Sequence, residues 1–288
     1  MISILGIAVT LAMVFGGYII AGGKLSIILH SLPYEMMIIG GAAMGAFLVG
    51  NGMDVIKHTA GDITRVFTGA KWKKQDYRDL LCLMFTLVRI AKDSPVEIEQ
   101  HIENPGESKI FQRYPKIAKD GAAMEMICDT IRSMIMNFDN AHQVEEMLEK
   151  QLESLHHANQ HGAHALQKMA DGLPALGIVA AVLGVIKTMA SIDKPPEVLG
   201  QMIGGALVGT FLGVFLAYGV VGPFADKAKA VRDEEHCFYN LIREALVASL
   251  HKHTPQICVE VARRNAPKKM RPSFSDMEDA IRETQKAA

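Results

Sequence analysis

The chain lacks an excess of basic charge and has few cysteines. Its 288 residues carry a formal net charge of −1, and no basic stripe is interleaved with aromatic side chains, so nucleic-acid binding is excluded. The cysteines are scattered without any C-x-x-C pair, at Cys82, Cys128, Cys237 and Cys258. Free thiols in a reducing compartment are therefore the simplest interpretation.

Motifs of catalysis and metal binding are also missing from the sequence. It has no serine–histidine–aspartate order, no phosphate-binding loop and no H-E-x-x-H. His157, His161 and His164 share one helical face that is able to bind a metal, but a solvated face of a polar helix is favoured. The sequence therefore predicts no enzyme active site, no resident metal and no cofactor.

What the sequence does contain is four long apolar runs. Residues 1–23, 36–53 and 198–225 have no charged side chain, and residues 172–192 have only Lys187. Each run reaches roughly the 18 residues that a bilayer core requires, and none has the polar stripe of a soluble core helix. A cleaved signal peptide is disfavoured because residues 1–23 lack a basic start. We therefore predict an all-α integral membrane protein with four transmembrane helices and a large helical cytoplasmic region.

The apolar runs divide the chain into four segments. These are transmembrane helices 1 and 2 with a short periplasmic loop at 1–53, a cytoplasmic helical domain at 54–172, transmembrane helices 3 and 4 at 173–225, and a cytoplasmic tail at 226–288. The expected loops within the two pairs, residues 24–35 and 193–197, carry one basic residue each. More basic residues flank the spans on the other side, so the positive-inside bias predicts that both termini are cytoplasmic.

Apolar periodicity predicts the main cytoplasmic helices. Residues 80–90 form one, with Leu81, Met84, Phe85 and Val88 on a single face. A long helix is expected from about residue 121 to residue 171. Its apolar side chains recur at helical spacing, beginning with Met124, Ile127, Ile131, Met134, Ile135 and Phe138. This helix is long enough to continue directly into the third span.

Small residues recur at intervals of four in the fourth span, at Gly205, Gly209, Gly213 and Ala217. Such spacing puts them on one face and lets another helix approach closely. The pattern leaves open whether that helix belongs to the same chain or to another subunit. The neighbouring Thr210 either bonds its own backbone or lines a wet path.

The expected spans contain no Asp, Glu or His and only one charged residue, Lys187, while Glu35 is placed at the edge of the second span. A membrane protein that carries protons normally needs a protonatable group at depth. Lys187 lies roughly 20 Å beyond Pro174 along a helix, near the outer boundary, where it can snorkel. We therefore expect an ion-conducting machine of this kind to take its key carboxylate from a partner.

Two prolines bracket the second pair of spans. Pro174 is expected to begin the third span, where a missing N–H costs little. Pro223 is expected to end the fourth, and to kink the helix because the apolar pattern continues into an amphipathic tail helix. From the residues alone, both are also explained as boundary markers.

Four strings together resemble a known family. They are IENPGESKIFQRYP at 102–115, DGLPALGIVAAVLGV at 171–185, LVGTFLGVFLAYGVVGP at 207–223 and RPSFSDMEDAIR at 271–282. Their order and the layout of two close pairs of spans resemble the motor protein A (MotA) family of flagellar stators, in the MotA/TolQ/ExbB proton-channel superfamily. Ala170 departs from the glycine that usually precedes the second string. Three-span TolQ and ExbB relatives fit less well.

The resemblance implies a homopentamer in the bacterial inner membrane, around two copies of a single-span motor protein B whose aspartate carries the ion. It implies that ion flow rotates the pentamer and generates torque for motility. It also implies that charged residues contact the rotor switch protein FliG. The family's acidic residue aligns with Glu99. The role of the family's basic residue is assigned to Arg89, with Lys92 as the alternative.

The resemblance also assigns residues to the ion path and to coupling. Pro174 and Pro223 match the family's functional prolines, and Thr210 matches a threonine that faces the ion. Sodium-driven relatives have a threonine where this chain has Ala181. Since a dehydrated sodium ion needs oxygen ligands that alanine does not supply, a proton is favoured.

Two other functions are weighed against a stator. An ExbB/TolQ-like energiser of outer-membrane transport is disfavoured by the four spans and by the string at 102–115. A secondary transporter working alone is disfavoured because the spans lack a carboxylate.

Overall fold

The computed structural model describes residues 2–136 and 141–286. Within those ranges the chain is helical, and no strand is formed there. The helices are α1 Ile2–Ile20, α2 Leu25–Gly50, α3 Met53–Thr68, α4 Lys74–Asp93, α5 Pro95–Glu103, α6 Lys109–Gln112, α7 Pro115–Ala118, α8 Gly121–Ile135, α9 Ala141–Met189, α10 Pro196–Leu216, a π-helical segment Ala217–Val221, α11 Gly222–Leu250, α12 Pro255–Asn265 and α13 Phe274–Lys286.

Four helical stretches are long and apolar enough to cross a membrane, which confirms the predicted class. They are Ile2–Ile20, Leu25–Gly50, Ala141–Met189 and Pro196–Leu250, the last formed by α10, the π segment and α11. No side chain of α1 is buried within the chain. This exposure is what a bilayer allows, because lipid tails solvate leucine and isoleucine as well as a protein core does.

The chain forms two compact units. The membrane unit comprises Met1–Gly69 and Asn159–Val231, and the helical unit comprises Ala70–Ala158 and Arg232–Ala288. The membrane unit thus includes α3 and parts of α9 and α11, which the division drawn from the sequence assigned to cytoplasmic segments.

The helical unit has a conventional core built around α4. The predicted helix at 80–90 lies within α4, and all four of its expected core residues are buried there. Trp72, which precedes α4, is 1% exposed and stacks on Phe238 of α11 with ring centroids 3.9 Å apart. Parallel aromatic burial of this kind contributes strongly to a core because each ring removes a large apolar area from water.

The second span begins much earlier than predicted. Residues 24–35 were expected to form a loop, but α2 starts at Leu25 and continues through Pro33. The polar side chains His30, Ser31 and Glu35 suggested a loop because the run without charged side chains begins only at residue 36. Ser31 faces α10 at Gly205, and Glu35 faces it at Gly209.

The long helix predicted over 121–171 is wrong as a single element. The structure has α8, which ends at Ile135, and α9, which begins at Ala141. Phe138, placed on this helix by its spacing, lies outside the described residues. Continuation into the third span is confirmed, because α9 runs on to Met189. Pro174 is therefore inside a helix and does not begin one.

Candidate ion-conducting site

The membrane halves of α9 and α10 pack with their backbones in near contact. A Cβ atom on Gly213 would lie 2.8 Å from the Cα of Gly177 and 2.7 Å from the carbonyl oxygen of Leu173. A Cβ on Gly184 would lie 2.9 Å from the Cα of Ala206. Only glycine fits at such distances, so the spacing of small residues gives an antiparallel helix pair within one chain.

The same glycine face of α10 also packs on α2. A Cβ on Gly205 would lie 2.8 Å from Ser31 Oγ, and one on Gly209 would lie 2.6 Å from Glu35 Oε2. The register shows that α2 and α10 run in the same direction. The short connections at 21–24 and 190–195 therefore lie at one end of the membrane unit, called here the short-loop end.

An acidic side chain lies inside the second span, which contradicts the expectation that the spans carry none. Glu35 is 7% exposed, and its Oε2 accepts no hydrogen bond from the described residues. It begins the buried stripe of α2 that continues with Ile39, Ala43 and Phe47. This spacing of four residues was the signal available in the sequence. The charge of Glu35 instead placed it at the edge of the apolar run 36–53.

The two residues expected on the ion path lie beside Gly209. A Cβ there would lie 3.1 Å from Ala180 Cβ and 3.2 Å from the backbone nitrogen of Ala181. Thr210 follows on α10 and is half-buried. Gly209 therefore has Glu35 on one side and α9 on the other. Ala217, the last residue of the small-residue face, is buried at 1% exposure.

The two prolines lie within continuous helical stretches. Pro174 is in the interior of α9 and half-buried, whereas Pro223 is exposed in the first turn of α11. The helix continues past Pro223 to Leu250, as expected for a span that runs on into an amphipathic tail helix. The predicted disturbance takes the form of a π-helical turn, in which the N–H of Gly222 donates to the carbonyl of Ala217. A π turn shifts the carbonyls that would otherwise face the proline ring.

The charged residues expected to contact the rotor belong to α4 and α5 of the helical unit. Glu99 is exposed on α5, whose start is capped by the Ser94 hydroxyl accepting from the N–H of Glu97. Lys92 is exposed in the last turn of α4. Arg89 is half-buried and lines a cavity of about 270 Å³ together with Glu97, His101, Lys109 and Arg113.

Comparison with known proteins identifies the protein family of this chain. Residues 4–95 match the profile described as motility protein A N-terminal, and residues 118–238 match the MotA/TolQ/ExbB proton channel family. Motility protein A of Salmonella typhimurium is 38% identical over 98% of this chain and 95% of its own length. The chain belongs to the motility protein A family. Its relatives and its four apolar helices make this chain an inner-membrane protein.

Solved structures with the motility protein A fold resemble the chain closely. The structure of C. jejuni MotAB has a TM-score of 0.71 at 20% identity and covers 94% of this chain and 98% of its own. The flagellar MotAB stator complex from Bacillus subtilis has a TM-score of 0.67 at 20% identity, covering 89% and 92%. At this identity the likeness establishes the fold.

Proposed function

We propose that this chain is a stator subunit of the bacterial flagellar motor, and that with motor protein B it forms a proton channel whose ion flow drives rotation. The observation that carries the proposal is 38% identity to a motility protein A over 98% of the chain. The match of residues 4–95 to a motility-specific profile favours this function over an energiser of outer-membrane transport.

The likeness to MotAB complexes supports an assembly of several chains. Val179, Val182 and Ile186 are 51%, 53% and 59% exposed on α9, although the other face of this helix packs tightly on α10. Lipid tails accept such a face as readily as partner helices or further copies of the chain do. The assembly proposed is five copies around two single-span motor protein B chains, with both termini of each copy in the cytoplasm.

The ion path is proposed to follow α9 and α10 past Ala181 and Thr210, with the ion carried by the partner's aspartate. Ala181 offers no side-chain oxygen, so a dehydrated sodium ion would lack a ligand there. A proton needs only a carboxylate and water. Pro174 and Pro223 are proposed to couple ion movement to the helices that continue beyond the membrane.

Rotor contact is proposed for Glu99 with Arg89 or Lys92 against the switch protein FliG. Exposed charges of this kind steer association and set specificity. Glu99→Lys is expected to reduce torque in tethered cells, and Glu107→Lys, which reverses another exposed acid beyond α5, serves as the matched control. Arg89→Glu and Lys92→Glu, made separately, decide which basic residue takes part.

The decisive experiment for the assembly is native mass spectrometry of the complex, extracted from its host's membranes by a tag on this chain. Five copies with two copies of a single-span, aspartate-bearing partner are expected. A monomer or dimer without a partner would refute the stator assignment and leave a solitary transporter as the function to test.

A further inference from the structure

A polar cavity opens at the short-loop end of the membrane unit. It has a volume of about 230 Å³ and lies between α2, α9 and α10. Its polar lining comprises His30, Tyr34, Glu35, Lys187, Thr188 and Gln201. A cavity of this size and polarity holds several water molecules, each of which needs two to four polar partners. Water therefore reaches into a unit whose helices are otherwise apolar.

Glu35 lies at the inner end of this cavity. It is ten residues after the start of α2, or roughly 15 Å along the helix. Its side chain is 7% exposed, and Oε2 has no hydrogen-bond donor among the described residues. A buried carboxylate without a donor is costly, and a neutral leucine or methionine would fill the contact stripe of α2 at less cost. Ionisable groups at such positions in a membrane usually mark an ion pathway.

The far side of the carboxylate meets the backbone of α10. Because Gly209 has no side chain, Oε2 of Glu35 packs directly on the α10 backbone, where a Cβ on residue 209 would lie only 2.6 Å from it. The same glycine touches Ala180 and Ala181 of α9 and precedes Thr210. The carboxylate thus stands between the water of the cavity and the helix face proposed above as the ion path.

The charged and titratable groups around Glu35 fit a carboxylate that exchanges protons. α9 contributes Lys187, α2 contributes His30 and Tyr34, and α10 contributes no ionisable side chain to the cavity. Lys187 is exposed and faces the same space. A single nearby cation stabilises the carboxylate anion without forming a fixed ion pair with it, since no contact within 4.0 Å joins these two side chains.

We propose that Glu35 is a proton-binding site that this chain itself contributes to the ion path, at its short-loop end. A hydronium ion in the cavity gives its proton to the carboxylate and leaves as water. Release of that proton to a water molecule on the side of Ala181 and Thr210 forms a hydronium ion there and restores the carboxylate, and no other bond changes. The inference rests on the proposed function, because it assumes that protons cross the complex.

The test uses the complete complex in membrane vesicles and has two readouts. A hydrophobic carbodiimide adds to protonated carboxyl groups in apolar surroundings, so mass spectrometry of the peptide containing Glu35 reports its protonation. Proton flux is measured in the same vesicles. The variants are Glu35→Gln and, as matched control, Glu197→Gln, which removes an exposed acid near the same end of α10 but outside the cavity.

Labelling of Glu35 that falls as pH rises is expected, together with a loss of at least about tenfold in proton flux for Glu35→Gln, since a positioned proton donor contributes 10²- to 10⁴-fold in other settings. Glu197→Gln should keep its flux. Unchanged flux in an assembled Glu35→Gln complex would overturn the inference, and so would a Glu35 that never labels. An unmodified complex without flux would instead contradict the proposed function.

A second variant covers the case in which Glu35→Gln fails to assemble. Lys187→Gln removes the cation of the cavity and leaves the carboxylate in place. Labelling of Glu35 should then increase at a given pH, because the anion loses its stabilising neighbour. Labelling that does not respond to this change would mean that Glu35 does not exchange protons through the cavity.

Discussion

Replacing Pro223 with alanine is expected to stabilise the helix locally and to reduce torque. The structure has a π-helical turn at Ala217–Val221, directly before the proline. Alanine restores a backbone N–H and removes the ring that conflicts with the preceding turn, so the segment is free to become an ordinary α-helix. A proline in a helix interior costs about 3 kcal/mol. Because the π turn already relieves part of this cost, a gain of about 1–3 kcal/mol is expected.

Amide hydrogen exchange measures this gain where it arises. An increase of about 1–3 kcal/mol in the local opening free energy slows exchange by about 5- to 150-fold in peptides covering residues 217–223. The complex is compared with and without the substitution in lipid nanodiscs. Pro255→Ala is the matched control, because Pro255 occupies the first turn of α12, where the missing N–H has no helical partner anyway.

The same variant tests the role of the π turn in motility. If the turn is the bending point for coupling, cells with Pro223→Ala should swim more slowly while containing as much complex as before. Exchange that is unchanged or faster at 217–223 would refute the idea that the proline causes the π turn. Slower exchange with normal torque would support Pro223 as the cause of the π turn, but it would show that the turn is not needed for coupling.

The remaining predictions concern packing and charge. Gly213→Leu should abolish recovery of folded complex, because even one added carbon would overlap the α9 backbone. Gly200→Leu is the control and should be tolerated, because nothing lies within 4 Å of the Cβ position of Gly200. The yield of purified complex measures both. Hydrogen bonds from Arg263 lower the pKa of Glu260 from 4.5 to about 2. The folded state therefore gains stability above pH 4.5 and loses it as pH falls toward 2. The unfolding temperature, measured by fluorescence of the single tryptophan Trp72, should fall as pH is lowered from 4.5 toward 2. A Glu260→Gln variant whose unfolding temperature falls as steeply with pH would contradict this.

Composition was sufficient to predict the four spans, because lipid selects side chains locally. A run of apolar residues long enough to cross the hydrocarbon core is recognisable without knowing its neighbours. The small residues from Gly205 to Gly213 were likewise visible as one face, since helical spacing alone puts them there. The end of α8 at Ile135 was not visible, because apolar spacing continues beyond it.

The tertiary structure alone decided where the polar residues of the membrane unit lie and what they contact. Composition placed Glu35 at the edge of a span, whereas packing buries it against Gly209, a residue far along the chain on α10. The sequence established that Pro223 would disturb its helix. The π turn at Ala217–Val221 follows from how the backbone hydrogen bonds rearrange around the missing donor. Apolar character is a property of each segment, but the burial of a carboxylate and the register of a helix depend on which other helix lies against it.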